Sequence, residues 1–454
     1  MLAVGISLAV WRPYEAFLLA TLLIGSGDAQ KFNATRTALL GPYLNLTDAC
    51  VVVALAALIF DCLYRKKWVR LPQVVMLILL VLYIATLQSY IAYGPTYKTI
   101  RAFRWAIQFP LGIFLAGNLV TDSRRVRLLV GTLLAAAVIS SAMHLLYIAN
   151  VRSSLVLSME NYHVVRTISF ITGGLTPAFL LSAAVWRLPR KILFKILLLV
   201  TSSLFLISIV MNQTRSIWIA TIAAVPFILL LFQRSGRILS FFRFVTILLL
   251  VTIISGLITR WLTPELDLID IAKSRLSVLT DTVASDGSVG SRARSFKAEM
   301  SSWFEGTWIL GRGLFFFQTM DYGDPNIQYT GIGFGHLGYV TYLSQFGLIG
   351  LFVYGIYLPL SVIQHSRNIW LNWRLPVERY VALLAGSCMI FNSIMFIMSS
   401  SFLGLGSFIP GILTGSVWVL ARINNKGLIG RVEVAGSLAG RTQTAVSGEQ
   451  NFRT

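Results

Sequence analysis

Twelve apolar runs divide this chain, each near the roughly 20 residues that a helix needs to cross a bilayer. They fall at about 3–25, 48–63, 71–93, 102–120, 128–149, 167–186, 192–211, 216–232, 240–259, 334–363, 378–400 and 404–421. The first and tenth are long enough to be tilted or broken. Of the 454 residues, 56% are hydrophobic and only 12% charged, about half the charged share of an average soluble protein. A soluble fold cannot hide that much apolar surface, so the bilayer is the solvent. These figures exclude a soluble globular enzyme and a disordered chain. They also exclude a nucleic-acid-binding domain, although the net charge is +20. The opening segment MLAVGISLAVWRPYEAFLLATLLIG has no basic n-region and no clear small-x-small cleavage site, and reads as a retained first span.

Twelve spans place both termini on one side, and charge decides which. Loops on the terminal side read YRKKWVR (64–70), TDSRRVR (121–127), WRLPRK (186–191), QRSGR (233–237) and HSRNIWLNWR (365–374), and the tail adds Arg422, Lys426 and Arg431. The opposing short loops carry far fewer, among them Lys31, Arg36, Lys98, Arg152 and Arg215. The dense side is therefore assigned to the cytoplasm. That orientation puts residues 260–332, with 9 of the 18 acidic residues, outside. The expected organisation is residues 1–259 as transmembrane helices 1–9, and 260–332 as a periplasmic loop with short helices such as 291–305. Residues 333–422 then form helices 10–12, and 423–454, rich in Gly, Ser, Thr and Gln, a disordered cytoplasmic tail. Cys50, Cys62 and Cys388 show no CxxC spacing and read as small core hydrophobes.

The informative residues are polar ones forced to the outer face. Arg215 sits in IVMNQTRSIWIA, between two apolar runs, beside Asn212, Gln213 and Thr214. An arginine there either snorkels to the interface or binds an anion. Arg292 and Arg294 lie at an expected helix start with Ser291 as cap, where guanidinium and helix N-terminus both suit a phosphate. A solvated loop charge is the plainer reading of those two. Of four histidines, His144 and His365 read as structural, and His163 is ambiguous beside Arg152, Tyr162 and Arg166. His336, where the long loop re-enters the membrane, is placed to take a proton from a hydroxyl. The spaced glycines of GIGFGHLG (331–338) precede a span rather than follow a strand, which argues against nucleotide binding. No cluster has the spacing of a metal site.

These residues carry a family resemblance. The chain resembles the bacterial O-antigen ligase and O-antigen polymerase superfamily of membrane glycosyltransferases, in topology over most of its length and in motifs over roughly 205–355. The family's Ser/Thr-Arg hairpin corresponds to Gln213-Thr214-Arg215-Ser216. Its loop element of Arg followed by an aromatic corresponds to Ser291-Arg292 and Phe296, and its Leu-Gly-x-Gly element to Leu310-Gly311-Arg312-Gly313. Its final pattern corresponds to His336, Tyr339, Leu343, Gln345, Gly347 and Leu348, with Leu337 where Asn is usual and Gln345 where Glu is usual.

The resemblance implies an all-α, GT-C-like polytopic fold of about 12 transmembrane helices in the bacterial inner membrane, with the active site facing the periplasm. It implies an undecaprenyl-diphosphate-linked glycan as donor and a sugar hydroxyl as acceptor, on lipid A core or a growing glycan. Transfer would invert the anomeric carbon without a metal or other cofactor. His336 would be the base, Arg215 and Arg292 the groups facing the diphosphate, and Arg294 a further contact. Arg101, Arg104, Arg152, Arg166, His163 and Tyr339 would line the substrate site. The motifs do not separate ligase from polymerase or from protein O-glycosyltransferases. The competing class is a polysaccharide-lipid or other secondary transporter. That class predicts two similar halves and ionisable residues at mid-membrane, and neither is evident.

Overall fold

The computed structural model describes residues 2–26, 46–94, 97–150, 175–185, 192–211, 215–262, 296–297, 299–301, 303–304, 308–314, 317–321, 328–332, 338–373, 376–398 and 408–423. The first apolar run is two helices, α1 (Leu2–Trp11) and α2 (Pro13–Ser26), divided where Pro13 follows Arg12. Next come α3 (Leu46–Arg65), α4 (Gln73–Tyr93), α5 (Tyr97–Leu119), α6 (Ser123–Asn150), the short α7 (Thr176–Ser182), α8 (Ile192–Met211), α9 (Arg215–Phe232) and α10 (Arg237–Leu262). An antiparallel hairpin of β1 (Phe317–Asp321) and β2 (Gln328–Ile332) follows, in register from Phe317 opposite Ile332 to Asp321 opposite Gln328. The chain closes with α11 (Gly338–Gly350), a π-wound turn at Leu351–Tyr357, α12 (Leu358–Asn372), α13 (Pro376–Met398) and α14 (Phe408–Ile423). The hairpin is an addition to the helical reading of the loop.

Among the described residues, five stretches are long and apolar enough to cross a membrane: Gln73–Tyr93, Ser123–Met143, Arg237–Trp261, Gly338–Asn372 and Pro376–Ile397. Apolar helices such as Lys195–Val210, Ser216–Phe232 and Phe408–Ile423 are shorter. The long spans divide into two physical kinds. Arg237–Trp261 is only 22% buried, and its Phe242, Leu249, Ile253 and Leu257 are exposed, as a lipid-facing helix requires. Pro376–Ile397 is 78% buried. Its Leu384 and Ala385 enter a core with α2, α3 and α6, Met389 and Phe396 one with α4, α5 and α11, and Leu383 and Phe391 one with α7 and α9. Helix α13 is thus the hub of the bundle.

Hydrophobic burial does not drive helices together inside lipid, so close backbone approach and polar contacts must contribute. Helices α5 and α14 meet at Gly112 and Gly411: a Cβ on Gly112 would strike Phe408 O, and one on Gly411 would strike Phe109 O. Helices α8 and α10 exchange serine contacts, with Ser255 Oγ donating to Ser203 O at 3.2 Å.

Contacts between turns give the bundle two ends. At one, the α3–α4 turn meets the end of α5, where Arg70 N–H donates to Asn118 Oδ1 and Arg422 donates to Gly117 O. Asp61 pairs there with Arg65 and Arg125. The α9–α10 turn also meets the α12–α13 connection, where Trp370 Nε1 donates to Phe232 O at 2.7 Å. Helix α4 leaves the first turn, and α12 arrives at the second. The C-terminal half of α4 and the start of α11 therefore share the opposite end, as does Arg215 at the start of α9.

Candidate functional site

A break in the span that begins at Gly338 organises this opposite end. Gly347 has φ 65° and ψ −163°, a conformation essentially restricted to glycine. An unbroken helix would bond Leu348 N–H to Ser344 O and Ile349 N–H to Gln345 O. The break severs both bonds and orphans four backbone groups where water is scarce. The segment Trp308–Gly313 takes up all four. Arg312 N–H donates to Ser344 O at 2.8 Å and Gly313 N–H to Gln345 O at 3.0 Å, while Leu348 N–H donates to Trp308 O at 3.1 Å and Ile349 N–H to Ile309 O at 3.2 Å.

Two glycines permit this clasp. A Cβ on Gly347 would run into Ile309 O, and one on Gly311, at φ 76°, into the backbone of Gln345. The clasp is also tied to α4. Leu314 N–H donates to Ala85 O at 3.0 Å, and Gln88 Nε2 donates to Gly311 O at 3.4 Å. The Leu310-Gly311-Arg312-Gly313 element and Gly347 are thereby two halves of one structural joint. Beyond it, Leu358 N–H reaches back five residues to Val353 O in the π-wound turn, next to Pro359, which has no N–H to give.

A second tie lies in the same region. Thr341 Oγ1 donates to Glu299 Oε2 at 3.0 Å, with both side chains buried. Burial raises the Glu299 carboxyl to a pKa of about 8, against the opposing effect of the Thr341 hydrogen bond. At neutral pH the group is mostly protonated and can donate as well as accept. Glu299 Oε1 is buried with no hydrogen-bond partner among the described residues. The tie fixes the chain shortly after Arg292 and Arg294 against α11, shortly after His336. Glu299 is the residue that sequence reasoning missed; it read as one of the scattered loop acids.

The predicted site residues stand as follows. Arg215 is the first residue of α9. Trp218 Nε1 donates to Ile209 O at 3.1 Å, which holds this helix start against the last turn of α8. Ser216 is buried. Arg104, on α5, pairs with Asp48 at 3.1 Å, so its charge is shared with an acid at the start of α3. Arg101 lies on the same helix. Tyr339, in the first turn of α11, is partly buried, with its ring 6.5 Å from that of Phe396. His336, Arg292, Arg294, Arg152, Arg166 and His163 lie outside the described residues, as do the side chains of Arg215 and Arg101. His365 is on α12, its Nδ1 2.7 Å from Ser361 O, in keeping with a structural role. Among the described residues no three His, Cys, Asp or Glu side chains converge as metal ligands would.

Residues 197–355 match the family model of the O-antigen ligase. The match runs from α8 through α9, α10, the hairpin and the clasp into the π-wound turn, and includes Arg215, Arg292, Glu299 and His336. No curated protein matches the chain.

Proposed function

We propose, from the premise that residues 197–355 belong to the O-antigen ligase/polymerase superfamily, that this chain is a membrane glycosyltransferase. It moves a glycan from undecaprenyl diphosphate to a sugar hydroxyl at the periplasmic face of the inner membrane. The observation that carries the reading is the family match itself. It is supported by the way Glu299–Thr341 and the Gly311–Gly347 clasp join the two halves of the matched region on one end of the bundle.

In this mechanism the acceptor oxygen bonds to the anomeric carbon from the face opposite the carrier, as the bond from that carbon to the diphosphate breaks. The hydroxyl proton passes to His336, and the bonding electron pair leaves with the diphosphate. Arg215 and Arg292 hold the charge that develops on the leaving group. Arg215 would act from the positive end of α9, which adds the helix dipole to its own charge. Arg294, Arg101, Arg152, Arg166 and His163 are secondary contacts for diphosphate or sugar. Arg104, paired with Asp48, would orient rather than neutralise. Tyr339 offers an aromatic face to a sugar ring.

The test uses purified protein and undecaprenyl-diphosphate-linked repeat units without divalent metal, with lipid A core in half the samples. Repeat units that lengthen without lipid A core identify a polymerase. Glycan that moves only when lipid A core is present identifies a ligase. No transfer in either arm defeats the reading.

A further inference from the structure

The opposite, Arg- and Lys-rich end of the bundle holds a cavity of about 730 Å³ between the 233–236 turn and the α12–α13 connection. Among the described residues three arginines line it, Arg234, Arg243 and Arg379, and no carboxylate does. The acidic neighbour Glu378 is buried at 1% exposure and is not part of the lining. None of the three arginines makes an ion pair with a described residue, unlike Arg65, Arg104 and Arg125. A second basic cavity at this end, under Lys66, Lys67 and Arg70, contains Asp61, which supplies its counter-charge internally. The 233–236 cavity has no such partner among the described residues.

Two of its cations are also held in place. Arg379 Nε donates to Trp370 O at 2.7 Å, and its guanidinium lies 4.7 Å from the Trp370 ring centre. Arg234 donates to Asn372 Oδ1 at 3.4 Å. Helices α10 and α13 both begin at the cavity, at Gly236-Arg237 and Pro376, so two positive helix ends add to the three arginine charges. The remaining wall is mixed: Gln233, Ser235 and Ser240 are polar, and Phe232, Leu239 and Leu371 give it an apolar side. Leu239 is exposed and continues along α10 into exposed Ile238 and Phe242, the surface that faces lipid.

We propose that this cavity binds the phosphate of an anionic phospholipid headgroup, with the acyl chains lying along α10. The apolar exit is what favours a lipid over free phosphate. Basic pockets between spans on the cytoplasmic side suit such headgroups, each arginine contributing a factor of about five in affinity.

The test titrates the detergent-purified full chain with dioleoylphosphatidylglycerol, dioleoylphosphatidylcholine or inorganic phosphate, and reads bound species by native mass spectrometry. Phosphatidylglycerol is expected to half-saturate at a concentration at least about tenfold below phosphatidylcholine. Arg243→Gln, at a side chain with no ion pair to lose, should weaken phosphatidylglycerol binding about fivefold, and Arg243→Lys should retain it. Arg379→Gln also loses the Trp370 contact, so Arg243 carries the decision. Equal binding of the two lipids, or an Arg243→Gln protein that binds phosphatidylglycerol like the parent, overturns the site. Inorganic phosphate that displaces phosphatidylglycerol at comparable concentration, with both lost in Arg243→Gln, supports the phosphate site and overturns the lipid as its ligand.

Discussion

At the scale of single residues, charge and burial separate groups that the sequence leaves alike. Glu299 and the other loop acids look equivalent as letters, yet Glu299 is enclosed and holds its proton to about pH 8. The ordinary value is 4.5, so the folded state binds more protons than the unfolded chain between those two limits. Stability then falls as pH rises from about 4.5 to about 8 and levels off above. Glu299→Gln should remove that slope, and thermal denaturation at pH 5, 7 and 9 would read it. A variant whose pH profile matches the parent's would assign the burial no energetic weight. For the chemistry, His336→Ala should lower transfer by about 10²–10⁴-fold as the loss of a general base. Arg215→Ala should lower it by about 10²–10³-fold as the loss of a fixed charge donor. Full activity in either variant, measured with the lipid-linked donor, removes that residue from the mechanism.

At the scale of elements, five of the expected spans were legible because a bilayer imposes a length and a polarity that apolar runs record directly. The breaks were legible only as an allowance. The first and tenth runs are long enough to be broken, but nothing local marks Gly347 as the point of rupture. In the sequence it resembles any small packing residue. Its conformation is set by Trp308–Gly313, a partner distant along the chain, and pairing of that kind leaves no periodicity to read. For the same reason the Leu-Gly-x-Gly element could be recognised but not given a task. Gly347→Ala should cost more than about 3 kcal/mol, since the backbone conformation itself is worth about 1–3 and a methyl group would meet Ile309 O. A large drop in folded yield or melting temperature is expected. Gly411→Val, which forces α14 off α5, should cost about 1–3 kcal/mol. A melting temperature unchanged by both substitutions would show these contacts to be loose.

At the scale of the whole molecule, two ends with different chemistry face opposite sides of one apolar bundle. One carries the family-matched loop and the clasp. The other carries the basic turns and the cavity of Arg234, Arg243 and Arg379. In the proposed topology, which rests on the charge bias, the second faces the cytoplasm. Single cysteines introduced at Ser285 and Ser235 in a cysteine-free background test this. An impermeant thiol reagent applied to intact cells should label the first and spare the second until the membrane is opened; the reverse pattern would invert the topology. The hub role of α13 was not evident in the sequence, because an all-round apolar helix looks the same whether it faces lipid or protein.

The clasp also bears on how the chain is made. Ser344 O, Gln345 O, Leu348 N–H and Ile349 N–H take partners from outside their own span, so that span is completed only by another part of the chain. Its partners, residues 308–313, leave the ribosome earlier, as does Ala85, to which they are anchored through Leu314. Synthesis therefore delivers the receiving surface before the broken helix that needs it. In the proposed topology, insertion of the last quarter of the protein becomes conditional on the loop having already crossed and docked.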